Sequence, residues 1–225
     1  MKTAIISDIH GNYPALKAVW RDLETQNCAH VLCLGDVAGY YSGINESIEL
    51  LVQNKVSTLM GNHDAYLAGF SVCTRSKTVN DCIDYQRKVV KHDLFEWIKA
   101  LPDSYQSEGL FAVHGGLRNH LDEYVDIFDF EAAHHAYPDS RFFLSGHSHI
   151  PQISTYNGLT YCNPGSVGQP RDGDPRASYA VFDDSGNFEI RRVEYDINET
   201  IKGMINAGFN EYYYKNLWTG TKIGS

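Results

Sequence analysis

Five short apolar runs in this chain each stop at an aspartate, asparagine or histidine, most of them beside a glycine. Ala4–Ile6 leads into Ser7-Asp8-Ile9-His10, and Val31–Leu34 into Gly35-Asp36. Val56–Met60 leads into Gly61-Asn62-His63-Asp64, Leu110–Val113 into His114-Gly115-Gly116, and Arg141–Leu144 into Ser145-Gly146-His147-Ser148-His149. Between the first three runs the spacing predicts helices over Pro14–Thr25 and Glu46–Asn54, with Pro14 in a first helical turn. Strand-helix-strand-helix-strand implies a parallel sheet with right-handed crossovers. The carboxyl ends of such strands share one edge, where open α/β sheets bind ligands.

The second half reads differently. Apolar positions at Ile83, Val90, Leu94, Trp97, Ile98 and Leu101 predict one long amphipathic helix over Val79–Leu101, ended by Pro102. Strands follow at Ser104–Ser107, Leu110–Val113 and Arg141–Leu144, with a helix at Phe130–Tyr137. Asn157-Gly158 and Ser185-Gly186-Asn187 predict hairpin turns. The tail from Glu199 to Leu217 reads as helical, interrupted near Gly208, with Tyr212–Tyr214 against the body. The expectation is an α/β protein with two sheets in one domain spanning 1–225, its polar motifs within 8–149 and further strands and a helix over 150–225.

Composition narrows the function. With 19 Lys+Arg against 28 Asp+Glu the formal charge is −9, which argues against a broad nucleic-acid or membrane surface. No apolar stretch is long enough for a membrane span, and the N-terminal apolar run is too short for a signal peptide. Cys28, Cys33, Cys73, Cys82 and Cys162 are scattered without a C-x-x-C pair, as expected of reduced thiols in a cytoplasmic protein. Ten histidines are many for 225 residues, and histidine is the residue most often recruited for metals and proton transfer. Asp8 and His10 stand two apart, as do His147 and His149, so an extended backbone would point each pair to one side. Two carboxylates, an amide and four or five imidazoles in one crevice exceed what one tetrahedral ion needs. They suit two divalent cations sharing a bridging carboxylate.

Asp8-x-His10, Gly35-Asp36, Gly61-Asn62-His63-Asp64, His114 and Gly146-His147-x-His149 resemble, in order, the signature of the calcineurin-like metallophosphoesterase superfamily. Asn163-Pro164-Gly165-Ser166-Val167-Gly168-Gln169-Pro170-Arg171 further resembles its small bacterial and archaeal phosphodiesterase-type members. The resemblance implies a four-layer α/β/β/α sandwich of two mixed sheets flanked by helices. It implies Asp8, His10 and His149 as ligands of one metal and Asn62, His114 and His147 as ligands of a second, with Asp36 bridging. A bridging hydroxide would attack phosphorus, and His63, not a ligand, would donate a proton to the leaving group. Manganese is the metal the resemblance favours, with iron, zinc or nickel compatible with the same donors. The implied substrate is a small phosphodiester or nucleotide-type ester. Alternatives are a diadenosine-polyphosphate hydrolase, a phosphomonoesterase, and a non-catalytic interaction scaffold.

Gly39 stands where the protein-phosphatase branch carries an aspartate, which argues against a phosphoprotein substrate. Arg171 and Arg118 are the candidate substrate-binding arginines, since arginine grips phosphate bidentately. Arg171 has the alternative of pairing with its loop's own aspartates, as does Arg176. Asn163 and Ser166 read as turn-shaping residues, and Asp64 either as a residue that helps orient the region or as a local turn cap. His30, His92, His120, His134 and His135 carry no such pattern. The sequence leaves a homo-oligomer open.

Overall fold

The computed structural model describes residues 2–107, 109–183 and 185–224. Ten strands form two five-stranded sheets. The first contains β1 (Lys2–Ile6), β2 (Cys28–Cys33), β3 (Ser57–Thr58), β9 (Ala177–Asp183) and β10 (Phe188–Val193), in the order β10-β9-β1-β2-β3. The second contains β4 (Ser104–Ser107), β5 (Leu110–Val113), β6 (Phe142–Leu144), β7 (Gln152–Tyr156) and β8 (Leu159–Asn163), in the order β4-β5-β6-β8-β7. Both sheets are mixed. β1, β2 and β3 run parallel while β9 and β10 run antiparallel; β5, β6 and β8 run parallel between antiparallel β4 and β7.

Alternation along the strands sorts the core into layers. Ile5, Leu32 and Leu34 of the first sheet meet Leu110, Ala112, Leu144 and Cys162 of the second. Ala4, Ile6 and Cys33 face the other way, onto α1 (Tyr13–Gln26) and α2 (Ile44–Gln53), which bury Leu16, Val19, Ile44, Ile48 and Leu51. Phe111, Val113, Phe143 and Tyr161 cover the far side of the second sheet, against Ala133 of α6 (Phe130–Ala136) and Phe128 just before it. The result is the expected four-layer α/β/β/α sandwich.

Three expectations about elements are corrected. The long helix over Val79–Leu101 is two helices, α4 (Lys77–Val89) and α5 (His92–Lys99), with Val90 and Lys91 extended between them. Periodicity could not reveal this, because eleven residues from Ile83 to Leu94 make about three turns and keep one face. The break is held from outside. Asn45 of α2 donates Nδ2 to the Val89 carbonyl (2.9 Å) and accepts the Lys91 amide (2.9 Å). β3 is shorter than Val56–Met60, because Met60 turns its amide to the Pro102 carbonyl (2.7 Å) instead of to the sheet. The tail forms α7 (Ile197–Asn206) and then two short 3₁₀ turns, Glu211–Tyr213 and Lys215–Trp218, rather than helix to Leu217. α3 (Asn62–Ala68) completes the set; its first residue directly follows a motif glycine.

Both hairpin expectations hold. Asn157 (φ 48°) and Gly158 (φ 80°) occupy the left-handed conformations of the β7–β8 turn, and Ser185-Gly186-Asn187 lies in the turn joining β9 to β10.

Candidate metal centre

All five motif segments leave their strands at one edge of the paired sheets and interlock there. Asp8 donates its amide to the Gly35 carbonyl (3.0 Å), His10 to Asp36 (2.9 Å) and Gly146 to His114 (2.8 Å). Five of the eight motif residues adopt left-handed backbone: Asp8 (φ 55°), His10 (53°), Asp36 (55°), His147 (63°) and His149 (62°). The expectation of extended Asp8-x-His10 and His147-x-His149 segments is therefore wrong, although each pair does converge. Such conformations cost about 1–3 kcal/mol each for residues other than glycine, and they persist where the surroundings over-determine them. Here the loops' mutual backbone bonds do so.

Asp64 ties two of these loops together. Its carboxylate accepts amides from Asp36 (2.8 Å), Ala38 (2.8 Å) and Gly61 (2.9 Å), so it caps α3 and also fixes the loop after β2. Gly39 is required by space as well as by its φ of 128°. A Cβ there would lie 2.3 Å from His10 Nδ1 and 2.7 Å from His63 Nδ1. Buried Gln86 of α4 holds the same loop, accepting the Gly39 amide at 2.8 Å. Asn163 donates to the Gly146 carbonyl (2.6 Å) and Ser166 to the Asp8 carbonyl (2.8 Å), the turn-shaping behaviour expected of them.

The side chains then gather into three overlapping, fully buried triads: Asp8, His10 and His149; His10, Asp36 and His63; and Asp36, His114 and His147. Asp36 belongs to two of them, as a shared carboxylate should. Asn62 Oδ1 lies 3.1 Å from His114 Nε2, adjoining the third triad.

The chemistry of the donors identifies what would fill this cluster. His10 Nδ1 lies 2.9 Å from the Ala38 carbonyl, and His149 Nδ1 lies 2.5 Å from the Gln169 carbonyl. A carbonyl only accepts, so both rings carry a proton on Nδ1 and turn Nε2 into the cluster. Those two Nε2 atoms face each other at 3.0 Å, and His149 Nε2 lies 3.2 Å from Asp8 Oδ1. Asp8 Oδ1 has no hydrogen-bond partner. Two ring nitrogens and a bare carboxylate oxygen, buried together, suit a cation. His114 shares the Nδ1 contact, 2.9 Å from the Leu34 carbonyl, but its Nε2 lies 3.1 Å from Asn62 Oδ1 and 3.4 Å from Asp36 Oδ2. Despite burial, Asp36 pushes its pKa up to about 9, so a cation would take the place of a proton there. The two buried His/Asp-rich triads built on Asp8 and on Asp36 thus fit a dinuclear site for divalent cations.

Electrostatics favour ionised carboxylates in the cluster. Burial would raise the Asp36 carboxyl, yet His114, His63 and His10 hold it below the usual carboxylate range. Burial is likewise outweighed at Asp8, where His149 and His10 keep the carboxylate ionised. Burial, helped by Arg171, pulls His149 down to about 3, so its lone pair is available for a metal.

His63 is set apart. Its ring lies 4.7 Å from that of His10 and 4.9 Å from that of Tyr40, and its amide donates to Asp36 Oδ1 (2.8 Å). Its Nδ1 has no partner, so no main-chain carbonyl fixes its tautomer. Burial pulls its pKa well below the usual histidine value.

A cavity of about 240 Å³ opens over the cluster, lined by Asn62, His63, His147, His149 and Arg171 among others. Arg171 does not pair with its loop's aspartates. It donates to the Tyr40 hydroxyl (3.0 Å) and to Gln169 Oε1 (2.8 Å), and its guanidinium stands 5.7 Å from the centre of the Tyr40 ring. Arg176 does pair locally, with Asp174. Arg118 is not brought to the cluster: it is exposed, pairs with Glu123 (3.4 Å) and lines a separate groove with Leu117 and Phe128. Tyr40, Tyr66, Arg75 and Tyr124 line the cavity without having been singled out from sequence. Tyr40 alone had a signal, as it follows the Gly35-Asp36 motif by four residues.

Comparison with known proteins places this arrangement. The model of the calcineurin-like phosphoesterase superfamily domain matches residues 1–187. An uncharacterized protein of Methanocaldococcus jannaschii is 32% identical, over 96% of this chain and 97% of its own length. The crystal structure of a metallophosphoesterase from Sphaerobacter thermophilus is 30% identical and superposes with a TM-score of 0.82, covering 98% of this chain and 99% of that one. A hypothetical protein from Pyrococcus horikoshii, 21% identical, shares the fold with a TM-score of 0.87 over 98% of this chain and 99% of that one. With its motifs buried at one sheet edge and nearly its whole length matched, the chain belongs to the calcineurin-like phosphoesterase superfamily.

Proposed function

We propose that this protein hydrolyses small phosphodiesters or nucleotide-type phosphate esters with two divalent cations, manganese in the first instance. The observation that carries the reading is the 3.0 Å contact between the Nε2 atoms of His10 and His149 beside the unpartnered Asp8 oxygen. Asp8, His10 and His149 would hold one cation, Asn62, His114 and His147 the other, and Asp36 both. Bound there, the cations would supply positive charge for phosphoryl oxygens and a water acidic enough to serve as nucleophile near neutral pH.

The chain's own residues do the rest. Interlocked loops and Asp64 fix the ligands before substrate arrives, so little reorganisation is needed at the moment of reaction. Arg171, steadied by Tyr40 and Gln169, offers its guanidinium to a non-bridging phosphoryl oxygen. His63 delivers a proton to the leaving oxygen. Burial keeps its ring neutral in the free protein, so that proton is taken up with the anionic substrate, whose charge opposes the burial effect.

The cavity's size favours a small ester. At about 240 Å³ it falls short of the roughly 300–1,000 Å³ typical of sites that enclose a drug-sized ligand. Among the described residues no helix is long and apolar enough to cross a membrane. All five cysteines are free, which supports a cytoplasmic setting. β9 pairs with β1, so residues after the motifs complete the motif-bearing sheet, which supports reading 1–225 as one domain.

The test is hydrolysis of bis-p-nitrophenyl phosphate and p-nitrophenyl phosphate by manganese-loaded protein, with chelator-treated protein as control. The diester is expected to turn over faster, and chelation to abolish both reactions. Faster monoester turnover would make the protein a phosphomonoesterase. Two bound ions with no turnover of either ester, or of a dinucleoside polyphosphate, would leave the non-catalytic scaffold.

A further inference from the structure

His147 is held unlike the other imidazoles of the proposed ligand set. His10, His114 and His149 each turn Nδ1 to a main-chain carbonyl and leave Nε2 for the cluster. In His147 it is Nε2 that faces away, toward Asp122 Oδ1 at 3.3 Å. That approach is too long or too bent for a formed hydrogen bond. A ring nitrogen of His147 nonetheless lies within 4.8 Å of ligand atoms of Asp36 and His114; with Nε2 given to Asp122, Nδ1 would be the nitrogen for a cation.

Asp122 is placed there by a built turn. Its amide and that of Leu121 donate to Asn119 Oδ1, both at 3.1 Å. The Gly116 amide donates to the Asn119 carbonyl at 3.0 Å. Gly115 allows the chain to double back so closely: a Cβ there would lie 2.7 Å from the Asn119 carbonyl oxygen and 2.9 Å from the Asp122 amide. The glycine pair after His114 thus brings Asp122 to His147. On its outer side Asp122 meets Arg75 Nη2 (2.5 Å), and Tyr124 lies against the His147 ring, 4.1 Å between centroids.

We propose that Asp122 is a positioning residue for the second cation: it accepts the Nε2–H of His147, so that Nδ1 turns its lone pair inward, while Arg75 steadies the carboxylate. The assignment rests on the dinuclear reading above. A carboxylate behind a ligating histidine fixes the tautomer and ring orientation and makes the nitrogen a better donor. It also makes the second cation's hold depend on a side-chain pair at the cavity mouth, where the first cation's histidines rely on backbone alone.

The test is calorimetric titration of metal-free protein with Mn²⁺, comparing wild type, Asp122→Ala, Asp122→Asn and Arg75→Ala, with thermal unfolding of each as a check on folding. Asp122→Ala is expected to weaken one of two Mn²⁺ sites by about 10–100-fold and leave the other unchanged. Asp122→Asn, which keeps an acceptor oxygen, is expected to recover most of that loss, and Arg75→Ala to lose only severalfold. Two wild-type affinities in Asp122→Ala would overturn the proposal, as would Asp122→Asn as weak as alanine. If alanine unfolds the protein, the asparagine and Arg75 variants decide by the same criteria. Wild type binding fewer than two Mn²⁺ ions would instead bring down the dinuclear reading, and this proposal with it.

Discussion

The two ends of the paired sheets hold cavities of opposite character. At the carboxyl end of the parallel strands a space of about 240 Å³ lies over buried aspartates and histidines, several without partners. At the amino end a larger space, about 500 Å³, is bounded by Thr3, Trp20, His30, Lys55, Tyr105 and Phe182. Its polar groups, His30, Asn54, Lys55 and Ser107, are solvent-exposed. Volume would pick the wrong end. What marks the chemical end is polarity that has been buried, left unsatisfied and held in left-handed backbone, all of which cost stability and need a ligand or a reaction to account for them.

The sharpest way to break this contrast is at the shared carboxylate. Asp36→Ala is expected to abolish binding of at least one Mn²⁺ and lower kcat/KM by about 10³-fold or more, the equivalent of several kcal/mol of lost charge stabilisation. Metal content of the purified variant and its diesterase rate check this together. A variant retaining both ions and near-normal turnover would move the chemistry elsewhere.

His63→Ala separates holding metal from moving a proton. We expect both Mn²⁺ ions to remain and kcat to fall by about 10²–10⁴-fold, the range of a lost general acid. Metal titration beside steady-state kinetics tells the outcomes apart, since loss of an ion would make His63 a ligand, as its place in a triad with His10 and Asp36 allows. A smaller effect is expected of Arg171→Ala. One charge-assisted contact to a phosphoryl oxygen contributes about 1.5–3 kcal/mol, so kcat/KM should fall by roughly 10–100-fold with both ions still bound.

The sequence carried the chemical end further than its geometry. Asp8, His10, Asp36, Asn62, His114, His147 and His149 were legible because aspartate, asparagine and histidine after apolar runs are conspicuous by type. Their convergence follows from parallel strands in two packed sheets that end at one edge. The backbone that achieves it was not legible: extended segments were expected, and left-handed residues locked by neighbouring loops were found. Asp122 and Gln86 were invisible for a related reason. Each acts through a contact set by the fold, and nothing in its own neighbourhood of sequence distinguishes it from a surface acid or a helix residue. The break after Val89 is of the same kind, since the side chain that holds it belongs to α2. Arg118 and Arg171 looked alike as arginines following a motif, and only the fold separates an exposed partner of Glu123 from a half-buried neighbour of Tyr40.

The smallest expected effect is also the cleanest control. His30 lies in β2, the strand whose far end delivers Asp36, and it pairs in parallel register with Thr3 of β1. It therefore shares residue type with the cluster and a strand with its shared carboxylate, and differs in end and burial. Its side chain is exposed, it has no hydrogen bond or ion pair among the described residues, and its backbone is ordinary strand. His30→Ala removes no ligand, no buried bond and no strained residue. Diesterase kcat/KM should stay within about twofold of wild type, both Mn²⁺ affinities should be unchanged, and stability should shift by no more than about 0.5 kcal/mol, as for exposed substitutions generally. A tenfold loss of turnover with metal binding intact would mean that the larger cavity communicates with the site. The contrast between the two ends would then be one of chemistry alone, and no longer one of function.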